Sequence, residues 1–241
     1  LMLQGCGEPE SNEPSQWHIV ADIEAAALLA VHGTSQENVW LVGADDGKGP
    51  LALHYDGQDW TRHDTGAVGD LWWVRAFEDG TVYMAGSDAI VLRYRDGEFE
   101  RLDPPGLGKH TLFGIWGAAS DDIYAVGSAA GRNGFVWHFN GEAWQDLVLP
   151  EGITLDYQND LPTLTKVWGA DAQTVWVVGG EGTLLQGNHR DGFTVRAPDT
   201  ENLLFAVHGS LDSERIVVVG GANQGLAFEV AGGSIVESSP E

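Results

Sequence analysis

The sequence predicts an all-β protein, on the basis of its composition, a recurring apolar segment and a set of tight-turn pairs. Its 241 residues include 33 glycines and 10 tryptophans but only 2 methionines. This balance suits many short strands joined by tight turns, because glycine destabilises the interior of a helix. Hydrophobic residues make up 43% of the chain, enough for a sizeable core. No apolar run is long enough to suggest a membrane-spanning helix.

An apolar segment that ends in glycine recurs five times. Successive glycines are separated by 43, 41, 52 and 41 residues, close to the period of about 40–50 residues that is typical of propellers and other repeat arrays. In each copy, one apolar segment precedes this one and two follow it. The five glycines are Gly43, Gly86, Gly127, Gly179 and Gly220.

Turn pairs connect the third and fourth segments of the copies. Asp-Gly and Asn-Gly tolerate the positive φ that primed hairpin turns need, so they predict neighbouring antiparallel strands. The pairs are Asp56-Gly57, Asp96-Gly97, Asn140-Gly141 and Asp191-Gly192, with Gly232-Gly233 in the last copy. A four-stranded meander cannot bury both faces alone, and radial stacking leaves only short edges. The sequence therefore predicts a β-propeller of about five four-stranded antiparallel blades.

The domain boundaries follow from the repeat. Residues 17–241 are predicted to form the propeller, after a flexible tether at 1–16. The predicted copies span approximately 28–66, 70–105, 111–150, 163–200 and 202–240. Trp17–Asp22 resembles a fourth strand although it precedes the first copy. It predicts either an additional strand on a five-copy ring or a further blade in a larger ring.

The copies resemble a known type of repeat. The third copy contains Ile115-Trp116-Gly117, then Asp122 to Gly127 with the sequence DIYAVG, then Phe139 to Trp144 with the sequence FNGEAW. These motifs resemble the BNR-like propeller repeats of bacterial secreted proteins and lipoproteins, and the resemblance covers residues 28–240. It implies the fold but no particular activity. The second copy departs most, with Arg75-Ala76 in place of Trp-Gly.

The N-terminus indicates a location. Leu3-Gln4-Gly5-Cys6 resembles the end of a bacterial lipoprotein signal, in which the cysteine becomes lipidated. The acidic, Pro-containing residues 7–15 that follow are typical of a flexible tether. We therefore expect an extracytoplasmic protein, lipid-anchored to the cell envelope through Cys6 or secreted. The alternative is an incidental cysteine near a disordered terminus.

Charge and cysteine content exclude several function classes. Twelve Lys and Arg residues against 36 Asp and Glu residues leave a formal charge of −24, which repels phosphate backbones and anionic lipids. Nucleic acid is therefore excluded as a partner, and membrane contact is expected only through lipid on Cys6. A single cysteine also excludes an internal disulfide and a cysteine-based zinc site.

Loops at one face are the predicted binding site. Propellers commonly bind ligands with the loops that join second to third strands and those that join one blade to the next, and loops on a rigid scaffold carry function. Oxygen ligands and a stacking ring there suit calcium or a polar ligand such as a sugar; the alternative is that the acidic loops are merely solvated. The candidate residues are Asp45, Asp46, Lys48, Arg132, Asn133, Asp156, Tyr157 and Asp160.

Aromatic and histidine side chains recur at the ends of the predicted first strands. Because equivalent positions favour a structural role, we expect them to pack between blades, with a histidine metal site as the alternative. They are His32, Trp116, Trp168 and His208.

The function predicted from the sequence is non-enzymatic. We expect a binding or scaffold protein that recognises a protein or glycan, needs no cofactor and has no catalytic residues. A glycan-active hydrolase or lyase on the same scaffold, and a structural blade array of a larger adhesin, are the alternatives.

Overall fold

The computed structural model describes residues 27–106, 108–210, 215–222, 224–231 and 234–237. These residues form five sheets of four antiparallel strands, which confirms the predicted five-blade β-propeller. The structure contains no helix in these ranges that could cross a membrane. Cys6 and Trp17–Asp22 lie outside the described residues.

Each blade consists of four consecutive strands. Blade one contains β1 (Leu28–Ser35), β2 (Asn38–Gly43), β3 (Leu51–Tyr55) and β4 (Trp60–Arg62). Blade two contains β5 (Leu71–Ala76), β6 (Val82–Gly86), β7 (Val91–Arg95) and β8 (Glu98–Leu102). Blade three contains β9 (His110–Ala119), β10 (Asp122–Ala129), β11 (Arg132–Phe139) and β12 (Trp144–Asp146). Blade four contains β13 (Leu164–Gly169), β14 (Val175–Gly179), β15 (Leu184–Asn188) and β16 (Gly192–Val195). Blade five contains β17 (Leu204–Gly209), β18 (Arg215–Gly220), β19 (Leu226–Ala231) and β20 (Ser234–Glu237).

The first strand of each blade is the innermost. β1 packs beside β5, β5 beside β9, β9 beside β13 and β13 beside β17, so these strands surround a central channel. The hydrophobic core lies between the blades, in three clusters of buried side chains that occupy successive blade interfaces. The second strands contribute three of its fully buried aromatic residues, Trp40, Tyr83 and Tyr124.

Every first strand carries a β-bulge near its start. In blade two, Leu71 pairs with Gly86 and Trp73 with Ala85, so Trp72 is an extra residue without a partner on the neighbouring strand. The repeated glycine is needed because the backbone approaches it closely there: a Cβ on Gly127 would lie 1.9 Å from the carbonyl oxygen of Thr111. The five extra residues are Leu29, Trp72, Phe113, Thr165 and Phe205.

The Trp-Gly pair of the repeat is a contact between blades. The Trp116 ring of blade three lies over Gly169 of blade four, where a Cβ would come within 2.6 Å of the ring. Trp168 lies in the same way against Gly209 of blade five. Blades three and four therefore each cover the glycine of the next blade with a tryptophan ring, and a side chain on that glycine would push the blades apart.

The contact is different where blade five faces blade one. The three atoms nearest to a Cβ built on Gly33 belong to blade one itself. Within the described ranges, β17 and β1 do not pack along one another as the other inner strands do. Apolar side chains on both sides of this seam are exposed, namely Leu28, Val31, Val217 and Val219.

The close backbone approach at the bulge predicts that Gly127→Ala destabilises the protein. The added Cβ clashes with backbone, which cannot rotate away, so we expect a loss of about 1–3 kcal/mol or more. Gly225→Ala is the matched control, because a Cβ there has no atom within 4 Å. Urea unfolding followed by circular dichroism compares the two; equal midpoints would contradict the role assigned to the repeated glycine.

Candidate functional site

The five extra bulge residues open onto a cavity at one end of the channel. Because they lie near the starts of the first strands, this end carries the loops between blades and the loops that join second to third strands, which is the predicted binding face. The cavity has a volume of about 690 Å³. Besides the bulge residues, its lining includes Trp73, Asp156, Tyr157, Lys166, Glu181 and Glu201.

Aromatic rings at this mouth face solvent. Trp72 is 37% exposed, Phe205 48% and Tyr157 89%. Trp72 and Phe113 meet edge to face, with their ring centroids 5.9 Å apart. Exposed large apolar side chains grouped around a cavity mark an interaction site, and aromatic residues contribute most to the binding energy of interfaces.

Lys166 is the basic residue of the cavity lining. Its ammonium group lies over the face of the Trp73 ring, a cation–π contact. In the described part of the chain it has no carboxylate within ion-pair distance. Burial lowers the pKa of Lys166 from 10.5 to about 7. Beside it, the Thr165 hydroxyl donates to the Leu204 carbonyl oxygen at 2.6 Å, which links blade four to blade five.

Four of the sequence-predicted site residues lie together near this cavity. Asp156 and Tyr157 line it, in the long segment between blades three and four. One oxygen of Asp156 accepts from the backbone N–H of Gln158 at 2.8 Å and of Asp160 at 3.0 Å. Arg132 approaches the Asp160 carboxylate at 3.7 Å. Asn133 lines a separate cavity of about 410 Å³.

The predicted residues of the first loop hold that loop together. Asp45 accepts from the backbone N–H groups of Gly47, Gly49 and Gly69 at 2.7, 3.1 and 3.0 Å, and the bond from Gly69 is the main cause that lowers its pKa. Both carboxylate oxygens of Asp46 accept from Arg62, at 2.8 and 3.0 Å, which lowers the pKa of Asp46 to about 2. The carboxylate oxygens of Asp45 and Asp46 thus already accept hydrogen bonds from the protein. Calcium binding by this loop stays a prediction. Lys48 is exposed on the same loop.

A cluster of titratable groups lies at the junction of blades three and four. Potential ligand atoms of Asp122, His138 and His189 lie within 4.8 Å of one another. The two imidazole rings stack at 3.8 Å and 10°, so their in-plane lone pairs run parallel and do not converge on one ion. The Asp122 carboxylate accepts from Nε2 of His138 at 2.7 Å, and the Asn38 side-chain oxygen accepts from Nε2 of His54 in the equivalent pair of blade one at 2.8 Å. This geometry favours a structural role for the cluster.

Sequence reasoning missed the channel residues. Trp72, Phe113 and Phe205 lie within the apolar segments that predict the first strands, and a bulge that re-aims a side chain has no signature in a single copy. Lys166 had one signal: in the aligned first strands it stands where the other copies have alanine, glycine or tryptophan.

Comparison with known proteins supports the fold. No protein-family model matches the chain. An ancestral GH74 enzyme superposes with a TM-score of 0.66 at 13% identity, over 88% of this chain and 31% of that one. YCF48 bound to the D1 peptide superposes with a TM-score of 0.60 at 14% identity, over 88% of this chain and 80% of that one. The extracellular domain of a one-component system from B. thetaiotaomicron superposes with a TM-score of 0.62 at 15% identity, over 89% of this chain and 28% of that one. The chain is a β-propeller.

One curated relative matches by sequence. The immune protein Tsi7 of Pseudomonas aeruginosa is 25% identical over 219 residues, which cover 84% of this chain and 62% of that protein. The chain thus spans less than two thirds of the length of this relative.

The buried amine predicts a pH-dependent stability. Between about pH 7 and 10.5 the unfolded chain binds a proton at Lys166 that the folded chain lacks, so rising pH favours folding across this window. The stability of the unmodified chain relative to Lys166→Met should therefore increase from pH 7 to about 9.5 in thermal melts. Lys109→Met, at an exposed position, is the matched control. A difference for Lys166→Met that does not change with pH would contradict a buried neutral amine.

Proposed function

We propose that this protein binds a protein partner through the mouth of its central channel. The carrying observation is the ring of bulge residues, which places Trp72, Phe113 and Phe205 around a cavity of about 690 Å³. Such exposed rings lose contact with water when a partner covers them, and this burial supplies binding energy. The rigid blades hold the rings in place, so little conformational entropy is lost on binding.

The surface charge favours a basic partner. The chain carries a formal charge of −24, and Asp156, Glu181 and Glu201 lie at the rim of the cavity. A positively charged surface is attracted to such a rim, which speeds association and fixes orientation more than it adds affinity. An apolar or aromatic protrusion on that partner would enter between the exposed rings.

The comparisons are consistent with this proposal. The relative over 84% of the chain is named an immune protein, and one structural neighbour was solved with a peptide bound. A protein partner agrees with both names. The long segment between blades three and four, which contains Tyr157, would add contacts at the edge of the same face.

The test is capture of the partner followed by measurement of its affinity. The immobilised chain is exposed to an envelope extract of its source organism, retained proteins are identified, and each is produced in pure form for titration. We expect that the double variant Trp72→Ser/Phe205→Ser weakens binding about tenfold or more, because both aromatic anchors are lost. Affinity should also fall as salt rises, since the rim attraction is screened.

Val217→Ser is the matched control for this experiment. It also replaces an exposed apolar side chain, but on β18 at the seam rather than at the channel mouth, so we expect it to bind as the unmodified chain does. Equal affinity of the double variant and the control would refute the channel-mouth site. If the chain instead binds an immobilised glycan saturably, and no captured protein competes for that binding, the partner is a glycan and not a protein.

We further propose that the protein is extracytoplasmic and anchored by lipid on Cys6, as the resemblance to secreted and lipoprotein-type repeats suggests. Metabolic labelling with an alkyne fatty acid, in cells that express the native gene, should label the protein. Cys6→Ser should abolish the label and move the protein from the membrane fraction to the soluble fraction, because a cysteine thiol is the attachment point. A label that persists in Cys6→Ser would place the lipid elsewhere.

A further inference from the structure

The opposite end of the channel contains a second cavity with a volume of about 510 Å³. It lies at the ends of the first strands, away from the bulges. Its lining includes the rings of Trp116, Trp168 and His208, the glycines that follow them, and Arg75. Arg75 stands where the third and fourth copies have tryptophan, so it is a charged residue that breaks the repeat at a channel position.

Arg75 lacks a counter-ion. In the described part of the chain, no carboxylate lies within ion-pair distance of its guanidinium group, although the sequence has 36 acidic residues for 12 basic ones. One terminal nitrogen of Arg75 donates to the Gly117 carbonyl oxygen at 3.2 Å. Its Nε atom is buried without any acceptor. Burial lowers the pKa of Arg75.

The neighbouring His32 cannot supply the missing acceptor. The backbone N–H of Ala76 donates to its Nδ1 at 3.2 Å, while an N–H of Arg75 faces its Nε2 at 2.8 Å. A neutral imidazole accepts at one ring nitrogen and carries a proton on the other. Burial, with the charge of Arg75, lowers the pKa of His32 to about 4, so the ring is neutral at physiological pH. The three groups therefore have one acceptor too few.

The chemistry of the cavity defines the missing acceptor. Buried donors without acceptors are costly, and an arginine fork matches the planar geometry of a carboxylate. A single guanidinium balances one negative charge, which a carboxylate carries, whereas a phosphate dianion would add an uncompensated charge to an acidic protein. Asp171, which also lines the cavity, has one oxygen occupied by the backbone N–H groups of Gln173 and Thr174. The indole rings of Trp116 and Trp168 and the small residues around them suit a flat apolar body.

We propose that the cavity around Arg75 binds a small organic carboxylate whose flat apolar body lies against Trp116 and Trp168. The carboxylate accepts from the guanidinium group and completes the hydrogen bonds that His32 leaves unsatisfied. This site is separate from the channel mouth, so it does not depend on the proposed protein partner.

Benzoate is the probe, with benzamide as its neutral counterpart of the same shape. Isothermal titration of the unmodified chain should show saturable binding of benzoate to one site, with benzamide about tenfold weaker or more because it lacks the charge. The shift of the indole N–H signals of Trp116 and Trp168 in nuclear magnetic resonance spectra places the probe. Inorganic phosphate, titrated in parallel, should bind more weakly than benzoate.

Three variants identify the residue responsible. Arg75→Gln should weaken benzoate binding about tenfold or more, since the charge-assisted hydrogen bonds are lost. Arg75→Trp restores the side chain that the third and fourth copies have at this position, which favours folding, and should abolish binding by filling the cavity. Arg101→Gln removes one positive charge from an exposed position on an outer strand and should bind as the unmodified chain does.

Four results would overturn the proposal: no saturable binding of benzoate to the folded unmodified chain, equal affinity for benzamide, tighter binding of phosphate, or unchanged affinity in folded Arg75→Gln.

Discussion

The arrangement of blades three to five depends on one contact: the tryptophan at the end of an inner strand lies on the glycine at the same place in the next blade. Trp116 on Gly169 and Trp168 on Gly209 show it directly. Because glycine has no side chain, the inner strands approach closely enough to enclose a channel, and the bulges at the other end of these strands turn extra residues toward its mouth. The positions of both cavities follow from this spacing.

The channel is chemically unlike the rest of the surface. The protein is strongly acidic, yet Lys166 and Arg75 stand at opposite ends of the channel without carboxylate partners among the described residues. Each is the only basic side chain with an amine or guanidinium group at its position among the five copies. Lys166 lies over the Trp73 ring, and Arg75 contacts His32 and the Gly117 carbonyl oxygen. A buried basic group without a carboxylate partner costs stability, which favours a role in binding.

The candidate site was predicted in part. The unequal loop lengths predicted that Asp156 and Tyr157 lie at the loop face, and in the structure both line the cavity there, because an insertion between two blades has to lie at the rim. They did not distinguish a free carboxylate from one that already has protein donors, and Asp45 and Asp46 accept hydrogen bonds from their own loop and from Gly69 and Arg62. Whether an aspartate binds a ligand or a backbone N–H depends on turn geometry that its immediate neighbours do not reveal.

The sequence by itself determined the all-β class, a count of about five blades and the order of the strands within each blade. These follow from local signals, namely turn pairs that allow positive φ and apolar segments that end in glycine, repeated five times. The tertiary structure alone decided which side chains line the channel, and that, among the described residues, blades five and one do not pack against each other as the other neighbouring blades do. A bulge shifts one side chain relative to its strand, and the packing of the blades around the channel brings residues from all five copies together. These properties therefore arise from contacts between residues far apart in the chain.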